Sequence, residues 1–430
     1  MKRIFVSFPV ENFSITKLKM LNWVNPFNIF CFLDNHQYQS PYHSHECLLA
    51  AGAIDFLQFS PGEAFDQLKK FSDKHNDWMF GHFGYDLKNE IENLSSDHED
   101  HIGFPVLFFF IPEIIIELHH DEINIGSLKN DHAEIYSQII AGGIEENNTQ
   151  DSREINIQSR FDKKEYIRTV EALRTHILRG DCYEINFCQE FYAENILLDP
   201  LSVYTLLDGV SPNPFSSFYK LNDRFVMCAS PERYLKKTGS SIVSQPIKGT
   251  WEKNIADLSE DNLNKDKLFK SAKDRSENVM VVDLVRNDLS KICQEGTVSV
   301  EELFGIYSFP NLHHMISSIT GEMKNDLHWA DAVKATFPMG SMTGAPKKRV
   351  MELIERYEKT KRGIFSGALG YVTPEKDFDF NVVIRSIFYN QTEHYLSFLV
   401  GSGITFYSEP EKEYEECQLK VFSIKKVLTA

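Results

Sequence analysis

After Asp162 the strands and helices legible in this chain follow one another in mixed order, and that irregularity limits the fold more than any other feature of its 430 residues. Apolar residues at helical spacing predict a helix from Asp162, with Tyr166, Val170, Leu173 and Ile177 on one stripe and a stop at Gly180. Further helices are predicted over 274–292, through Val350, Met351, Ile354 and Tyr357, and from the Ser408-x-x-Glu411 capping box through Cys417, Val421, Ile424 and Leu428. Strands are predicted between them at 181–191, 225–228, 242–243, 380–388 and 395–400. The regular strand–helix alternation of a doubly wound sheet is missing. The pattern therefore predicts a large α+β arrangement of antiparallel sheets covered by helices.

Ahead of Asp162, the aromatic and β-branched runs 104–111 and 114–116 read as buried strands, and 62–71 as a helix. The polar stretch 142–158 marks the division between an N-terminal subdomain, 1–150, and a second domain, 155–430. With 62 acidic against 45 basic residues and a formal charge of −17, the chain offers no basic face for nucleic acid or an anionic membrane. Any anion must be held locally, by a few placed cations and amides. Seven scattered cysteines without paired zinc spacing favour a reducing compartment. The apolar run 105–118 is broken by Pro112 and Glu113 and is too short to span a bilayer. No signal peptide opens the chain, so a cytoplasmic protein is expected. Histidines 36, 43, 45, 119 and 120 read as surface residues, because no cysteine or carboxylate set follows at ligand spacing.

Several short stretches carry candidate chemistry. In Pro246-Ile247-Lys248-Gly249-Thr250 a lysine at the end of an apolar run can be partly desolvated, which frees its amine as a nucleophile or base; the plainer reading is a surface turn. Glu232, in Ser230-Pro231-Glu232-Arg233, is either half of an ion pair or a carboxylate that neighbouring strands aim into the same cleft as Lys248. Glu277 lies on the core-facing stripe of its helix and needs a partner, either a cation or a divalent metal. His313 and His314 stand at a strand entrance, where one can donate to a substrate oxygen or both can be ordinary core residues. Gly340-Ser341-Met342-Thr343-Gly344-Ala345-Pro346 opens a helix with small residues and free amides, which suits an anion but is no phosphate P-loop. Arg385 sits among apolar neighbours and calls for a carboxylate. Gly401-Ser402-Gly403 lets backbone amides approach a ligand. Glu413 and Glu416 share one helix face, as ligands or as a solvated acidic turn.

Taken in order, Gly180-Asp181-Cys182-Tyr183-Glu184-Ile185-Asn186, Ser230-Pro231-Glu232-Arg233, Pro246-Ile247-Lys248-Gly249-Thr250, Lys273-Asp274-Arg275-Ser276-Glu277-Asn278, Gly340-Ser341-Met342-Thr343-Gly344-Ala345-Pro346-Lys347 and Gly401-Ser402-Gly403-Ile404 resemble the chorismate-utilising enzymes over roughly the last two thirds of the chain. The resemblance implies two large packed antiparallel sheets with helices outside and the active site in the cleft between them, so that 155–430 is the chorismate-binding catalytic domain. It implies Mg2+ on Glu277 and Glu416, with Glu413 as neighbour or water-mediated ligand. Lys248 is implied as the nucleophile at C2 of chorismate, Glu232 as general acid on the C4 hydroxyl, and His314 as a group near the ring. Arg385, Thr343, Gly344, Gly401, Ser402, Gly403 and Thr250 are implied to bind the substrate.

Lys248 also separates branches of the family, since anthranilate synthases carry Pro-Ile-Ala-Gly-Thr at that place. It implies amination at C4 toward 4-aminobenzoate and folate, with ammonia from solution or from a separate glutamine amidotransferase chain, because no glutaminase nucleophile segment is present. Anthranilate, isochorismate or salicylate synthesis on the same fold, and a silent subunit that only docks a glutaminase, are the competing readings. The Leu-Leu-Glu-Ser element that lines a tryptophan pocket in related enzymes reads Leu48-Leu49-Ala50-Ala51 here, so feedback by tryptophan is not expected.

Overall fold

The computed structural model describes residues 3–59, 62–143, 155–254 and 257–428. Among them the strands form a twelve-stranded and a ten-stranded sheet whose pairings are all antiparallel. From its outer edge inward the first sheet runs Ile4–Pro9, Glu122–Ser127, Ile114–Leu118, Cys47–Ala51 and Ile29–Asp34. It continues through Phe215–Leu221, Arg224–Ser230, Ser386–Asn390, Tyr395–Ile404 and Glu184–Ala193 to the short strand Gly344–Ala345. The second sheet is built around Ile247–Glu252, Leu312–Glu322, Ser241–Gln245, Arg233–Thr238 and Phe378–Val382, followed by Ala368–Val372, Met79–Phe83, Leu107–Ile111 and Asp55–Phe59. Strands from before residue 130 thus hydrogen-bond to strands from after residue 200 in both sheets. Of the polar stretch 142–158, residues 144–154 lie outside the described residues.

Burial on both faces explains why the strands read as nearly unbroken apolar runs. Side chains alternate across a strand, so Cys31, Leu48 and Ala50 of the first sheet enter the core shared with the second sheet, while Phe30, Phe32, Leu49 and Ala51 face outward. The outward set is covered by helices: Met20 and Val24 of Phe13–Val24, Val170 and Leu173 of Lys163–Leu178, and Cys417 and Val421 of Pro410–Leu428. Between the sheets, His82 of one bonds the Tyr219 hydroxyl of the other at 3.1 Å. The expected α+β sandwich with outer helices is the fold.

The structure corrects several local expectations. The segment 380–388 is no single strand: Phe378–Val382 belongs to the second sheet and Ser386–Asn390 to the first, and the chain crosses between them with Arg385 at φ 51°. Strand Tyr395–Ile404 runs on through Gly401, Ser402 and Gly403 and does not end before them. The Ser408 hydroxyl accepts the Thr405 amide at 3.0 Å, and the helix opens two residues later at Pro410. The histidines are not all surface residues. His45 packs edge-on against Trp78 and Tyr371, and His36 bonds Asp208 at 2.8 Å. Carboxylates do gather at His36, but Lys17 Nζ joins them, 2.6 Å from Asp34 and 3.4 Å from Asp208. All seven cysteines are free and buried. Among the described residues no helix is long and apolar enough to cross a membrane.

Candidate active site

The site forms where the chain twice changes sheets. Strand Arg224–Ser230 of the first sheet passes through Pro231 and Glu232 into Arg233–Thr238 of the second, and residues 383–385 make the return crossing. The two crossings are tied together: Val382 donates its amide to the Glu232 carbonyl at 3.0 Å, and Ala229 donates to the Arg385 carbonyl at 3.2 Å. A proline fixes the first bend and a left-handed residue the second, so Glu232 and Arg385 are placed by backbone geometry.

Glu232 is buried and accepts the Ser341 hydroxyl at 2.5 Å. Burial pushes its carboxyl up to about 7, against the pull of Ser341, Lys248 and Arg385. That value suits an acid that must hold its proton near neutrality.

Lys248 stands in Ile247–Glu252, which Leu312–Glu322 separates in the sheet from the two strands joined at Gly239, so the strands next to Glu232 and Lys248 are not neighbours as expected. Its Nζ lies 2.7 Å from Glu184 Oε1 of strand Glu184–Ala193. Burial works to lower its pKa, as expected of a desolvated amine, but Glu184, Glu277 and Glu232 outweigh it and hold the ammonium above the ordinary lysine range. Paired with Glu184, Lys248 is therefore a bound cation and not a free amine.

Neither Glu184 nor Lys273 was singled out in the sequence. The signal for Glu184 was present: an acidic residue on the same strand face as Asn186 and Cys188, in an apolar run, needs a partner.

His314, in Leu312–Glu322, is fully buried; Thr250 Oγ1 is 2.8 Å from its Nδ1 and Arg385 Nη1 is 3.2 Å from its Nε2. Burial and the Arg385 charge hold the imidazole well below its usual range. Burial lowers Arg385 itself to about 10, with Glu232 as the opposing charge. No carboxylate forms an ion pair with Arg385 among the described residues, so its remaining donors are available to a substrate anion.

Three carboxylates converge on one ammonium at the mouth of the cleft. Lys273 Nζ is 3.9 Å from Glu277, 3.5 Å from Glu413 and 4.0 Å from Glu416. Oxygens of Glu277 and of Glu413 are buried without a hydrogen-bond partner. Burial raises Glu277 to about 7, opposed by Lys248 and Lys273. Carboxylate oxygens, two of them buried without a partner, are the donor type a divalent ion takes, but here an ammonium stands between them and, among the described residues, they do not close on one point as the ligand atoms of Asp34, His36 and Asp208 do.

The other substrate-binding candidates divide. The Thr343 hydroxyl is fully buried and donates to the Met339 carbonyl at 3.1 Å, so it is committed to its own loop. The Ser402 hydroxyl faces Tyr166, 3.4 Å away on the outer side of the sheet, which turns it away from Lys248. Gly344 and Gly403 are closely fitted: a Cβ on Gly344 would sit 2.1 Å from the Glu184 carbonyl, and one on Gly403 2.9 Å from both Glu184 Oε1 and Lys248 Nζ. Gly401 lies against Cys188 and Asn186 on the same face. Leu48 lines a separate cavity with His43, His45, Tyr371 and Arg233, the residue after Glu232.

Residues 32–426 match the family described as chorismate binding enzyme. Aminodeoxychorismate synthase component 1 of Escherichia coli (strain K12) is 34% identical over 353 residues, which cover 81% of this chain and 76% of that protein. The protein of the same name from Klebsiella aerogenes is 33% identical over 344 residues, covering 79% and 75%. Among solved structures, anthranilate synthase component I from Streptococcus pneumoniae TIGR4 superposes with a TM-score of 0.78 at 25% identity, over 90% of this chain and 94% of that one. The menaquinone-specific isochorismate synthase of Escherichia coli shares the fold, with a TM-score of 0.77 at 16% identity over 100% and 95% of the two chains.

Proposed function

This chain belongs to the chorismate binding enzyme family, and we propose that it aminates chorismate at C4 to 4-amino-4-deoxychorismate, the precursor of 4-aminobenzoate in folate formation. The observation that carries this reading is a lysine in the cleft beside a carboxyl suited to acid catalysis: Lys248 is among the charges that act on buried Glu232. The relatives named aminodeoxychorismate synthase component 1 support the same reading.

In the proposed reaction the Lys248 amine bonds to C2. The C1=C2 electrons move to C1–C6, those of C5=C6 move to C4–C5, and the C4 hydroxyl leaves as water with the Glu232 proton. Ammonia then bonds to C4, the double bonds return, and the C2–N bond breaks to release Lys248. The new ammonium gives one proton back to Glu232. Arg385 would hold a substrate carboxylate, while Thr250 fixes His314 beside it. Glu277 and Glu416, with Glu413 as neighbour, would hold Mg2+, which supplies positive charge to a substrate carboxylate and eases loss of the hydroxyl. Ammonia is proposed to come from a separate glutamine amidotransferase chain, and the reaction to run in the cytoplasm.

Purified protein with chorismate, Mg2+ and an ammonium salt tests this reading, with an aminodeoxychorismate lyase added afterwards. Release of 4-aminobenzoate only after the lyase supports it. Anthranilate, isochorismate or salicylate would place the chain in another branch of the family. Absence of chorismate turnover, with the glutaminase partner supplied, would mark a silent subunit.

A further inference from the structure

Lys248 poses a chemical problem that the reaction above leaves open. A nucleophilic nitrogen needs a lone pair, and four carboxylates favour the protonated form of this one: Glu184 from strand Glu184–Ala193, Glu277 from helix Ala272–Ile292, Glu232 from the crossing, and Glu416 from helix Pro410–Leu428. Amine formation therefore requires an acceptor within hydrogen-bond reach of Nζ, about 2.6–3.2 Å. Among the described residues one carboxylate meets that condition, Glu184 at 2.7 Å.

We infer that Glu184 is the base that takes the proton from Lys248 as the nitrogen attacks C2 and returns it when the lysine is expelled. The inference rests on the C4 amination reading. Three features of the pair support it. Glu184 has a side chain 2% exposed, so solvent does not compete for the proton. Its second oxygen, Oε2, is buried without a hydrogen-bond partner, so no other group on the protein claims the carboxylate from that side. Gly403 leaves the space the pair occupies, since a Cβ there would come within 2.9 Å of both Oε1 and Nζ.

The proton balance is closed. The Lys248 N–H bond breaks, the Glu184 O–H bond forms, and the nitrogen pair becomes the bond to C2; expulsion reverses all three. In the adduct Glu184 is neutral while the nitrogen on C2 is a secondary ammonium; on expulsion the amine leaves neutral and takes its proton back from Glu184, so no proton enters from or leaves to water. A neutral carboxamide at 184 would hold Lys248 in place through its oxygen but cannot accept the proton.

The test compares the full-length wild type with Glu184→Gln at fixed free-ammonia concentration and saturating Mg2+, following chorismate consumption and the product formed. Wild type that makes no 4-amino-4-deoxychorismate refutes the amination reading, whatever Glu184 does. With a competent wild type, Glu184→Gln is expected to bind chorismate within about threefold of normal and to lose about 10²–10⁴ in kcat. The ratio of variant to wild-type rate is expected to rise about tenfold per pH unit until Lys248 itself deprotonates, because the amine must now form by exchange with solvent. Glu232, Glu277 and Glu416 are common to both proteins and cancel in that ratio. A variant within threefold of wild-type kcat, or a slow variant with a flat ratio, overturns the assignment, the latter leaving Glu184 only a structural role. If Glu184→Gln does not fold, Glu184→Ser provides the reading by the same ratio: a rise of about tenfold per pH unit supports the base, and a flat ratio overturns it.

Discussion

Arg385 Nη1 meets His314 Nε2 at 3.2 Å, and because a guanidinium only donates, that ring nitrogen must be the acceptor. His314 is thereby a neutral imidazole with its proton on Nδ1, given to Thr250 Oγ1 at 2.8 Å. Burial and the Arg385 charge keep it so well below the usual histidine range. Nitrogen NMR of the histidine-labelled protein is expected to show this ring, like those of His45 and His82, which burial lowers to about 4, unchanged from about pH 5.5 to 8, when unperturbed histidines titrate near pH 6.5. A midpoint in the ordinary range for His314 would contradict the assignment and allow it a role in moving protons.

Glu232 should set the alkaline limb of the reaction. Its carboxyl is raised to about 7, above the ordinary glutamate value, so the proton-donating form prevails below that pH and is lost above it. At fixed free ammonia, kcat is expected to fall about tenfold per pH unit beyond the midpoint. Glu232→Gln should lose about 10²–10⁴ in kcat and the alkaline fall with it. A variant that keeps the wild-type profile would assign the limb to another group.

How far the sequence reached can be judged from these same residues. Glu232, Lys248, Glu277 and His314 carry short, ordered motifs, and in the structure Glu232 and Glu277 both act on Lys248 while Arg385 acts on both Glu232 and His314. The α+β class followed from element order alone. What could not be read were effects of the third dimension. Arg385 looked like the middle of one strand because 378–390 is apolar on both sides of it, and only the pairing partners reveal a crossing between sheets. Desolvation of Lys248 was foreseeable from its apolar approach, whereas Glu184 lies on a strand of the other sheet and reverses the outcome. Ser402 and Gly403 are adjacent in sequence but face opposite sides of their strand, which places one by Tyr166 and the other by Lys248.

The acidic cluster at the cleft mouth should bind Mg2+ in competition with Lys273. Chelation with EDTA is expected to abolish turnover, and Mg2+ to restore it. Glu277→Gln should weaken Mg2+ binding at least about tenfold, a loss that removal of even outer-shell partners can cause. Lys273→Met should act in the opposite direction, since its ammonium lies within 4.0 Å of Glu277, Glu413 and Glu416. Calorimetric titration of Mg2+ into each protein reads both effects. Equal affinity in wild type and Glu277→Gln would remove this cluster as the metal site.

Two glycines on either side of Glu184 should fail in different ways when replaced by alanine. At Gly403 the added methyl would meet the far ends of two side chains, Glu184 Oε1 and Lys248 Nζ, each 2.9 Å away. Flexible ends can shift, so Gly403→Ala is expected to fold with a loss of about 1 kcal/mol or less, while the displaced pair costs about 10²-fold in kcat. At Gly344 the methyl would lie 2.1 Å from the backbone carbonyl of Glu184, and φ of +144° is itself strained for an alanine. Strand Gly344–Ala345 is hydrogen-bonded to Glu184 and Ile185 there and cannot move apart without losing the pairing. Gly344→Ala should therefore lose stability first, by more than about 2 kcal/mol, with activity falling in step. Thermal unfolding and kcat measured on both variants separate the cases. If Gly403→Ala keeps full activity, or Gly344→Ala melts like wild type, the close fit around Glu184 is not what these glycines provide.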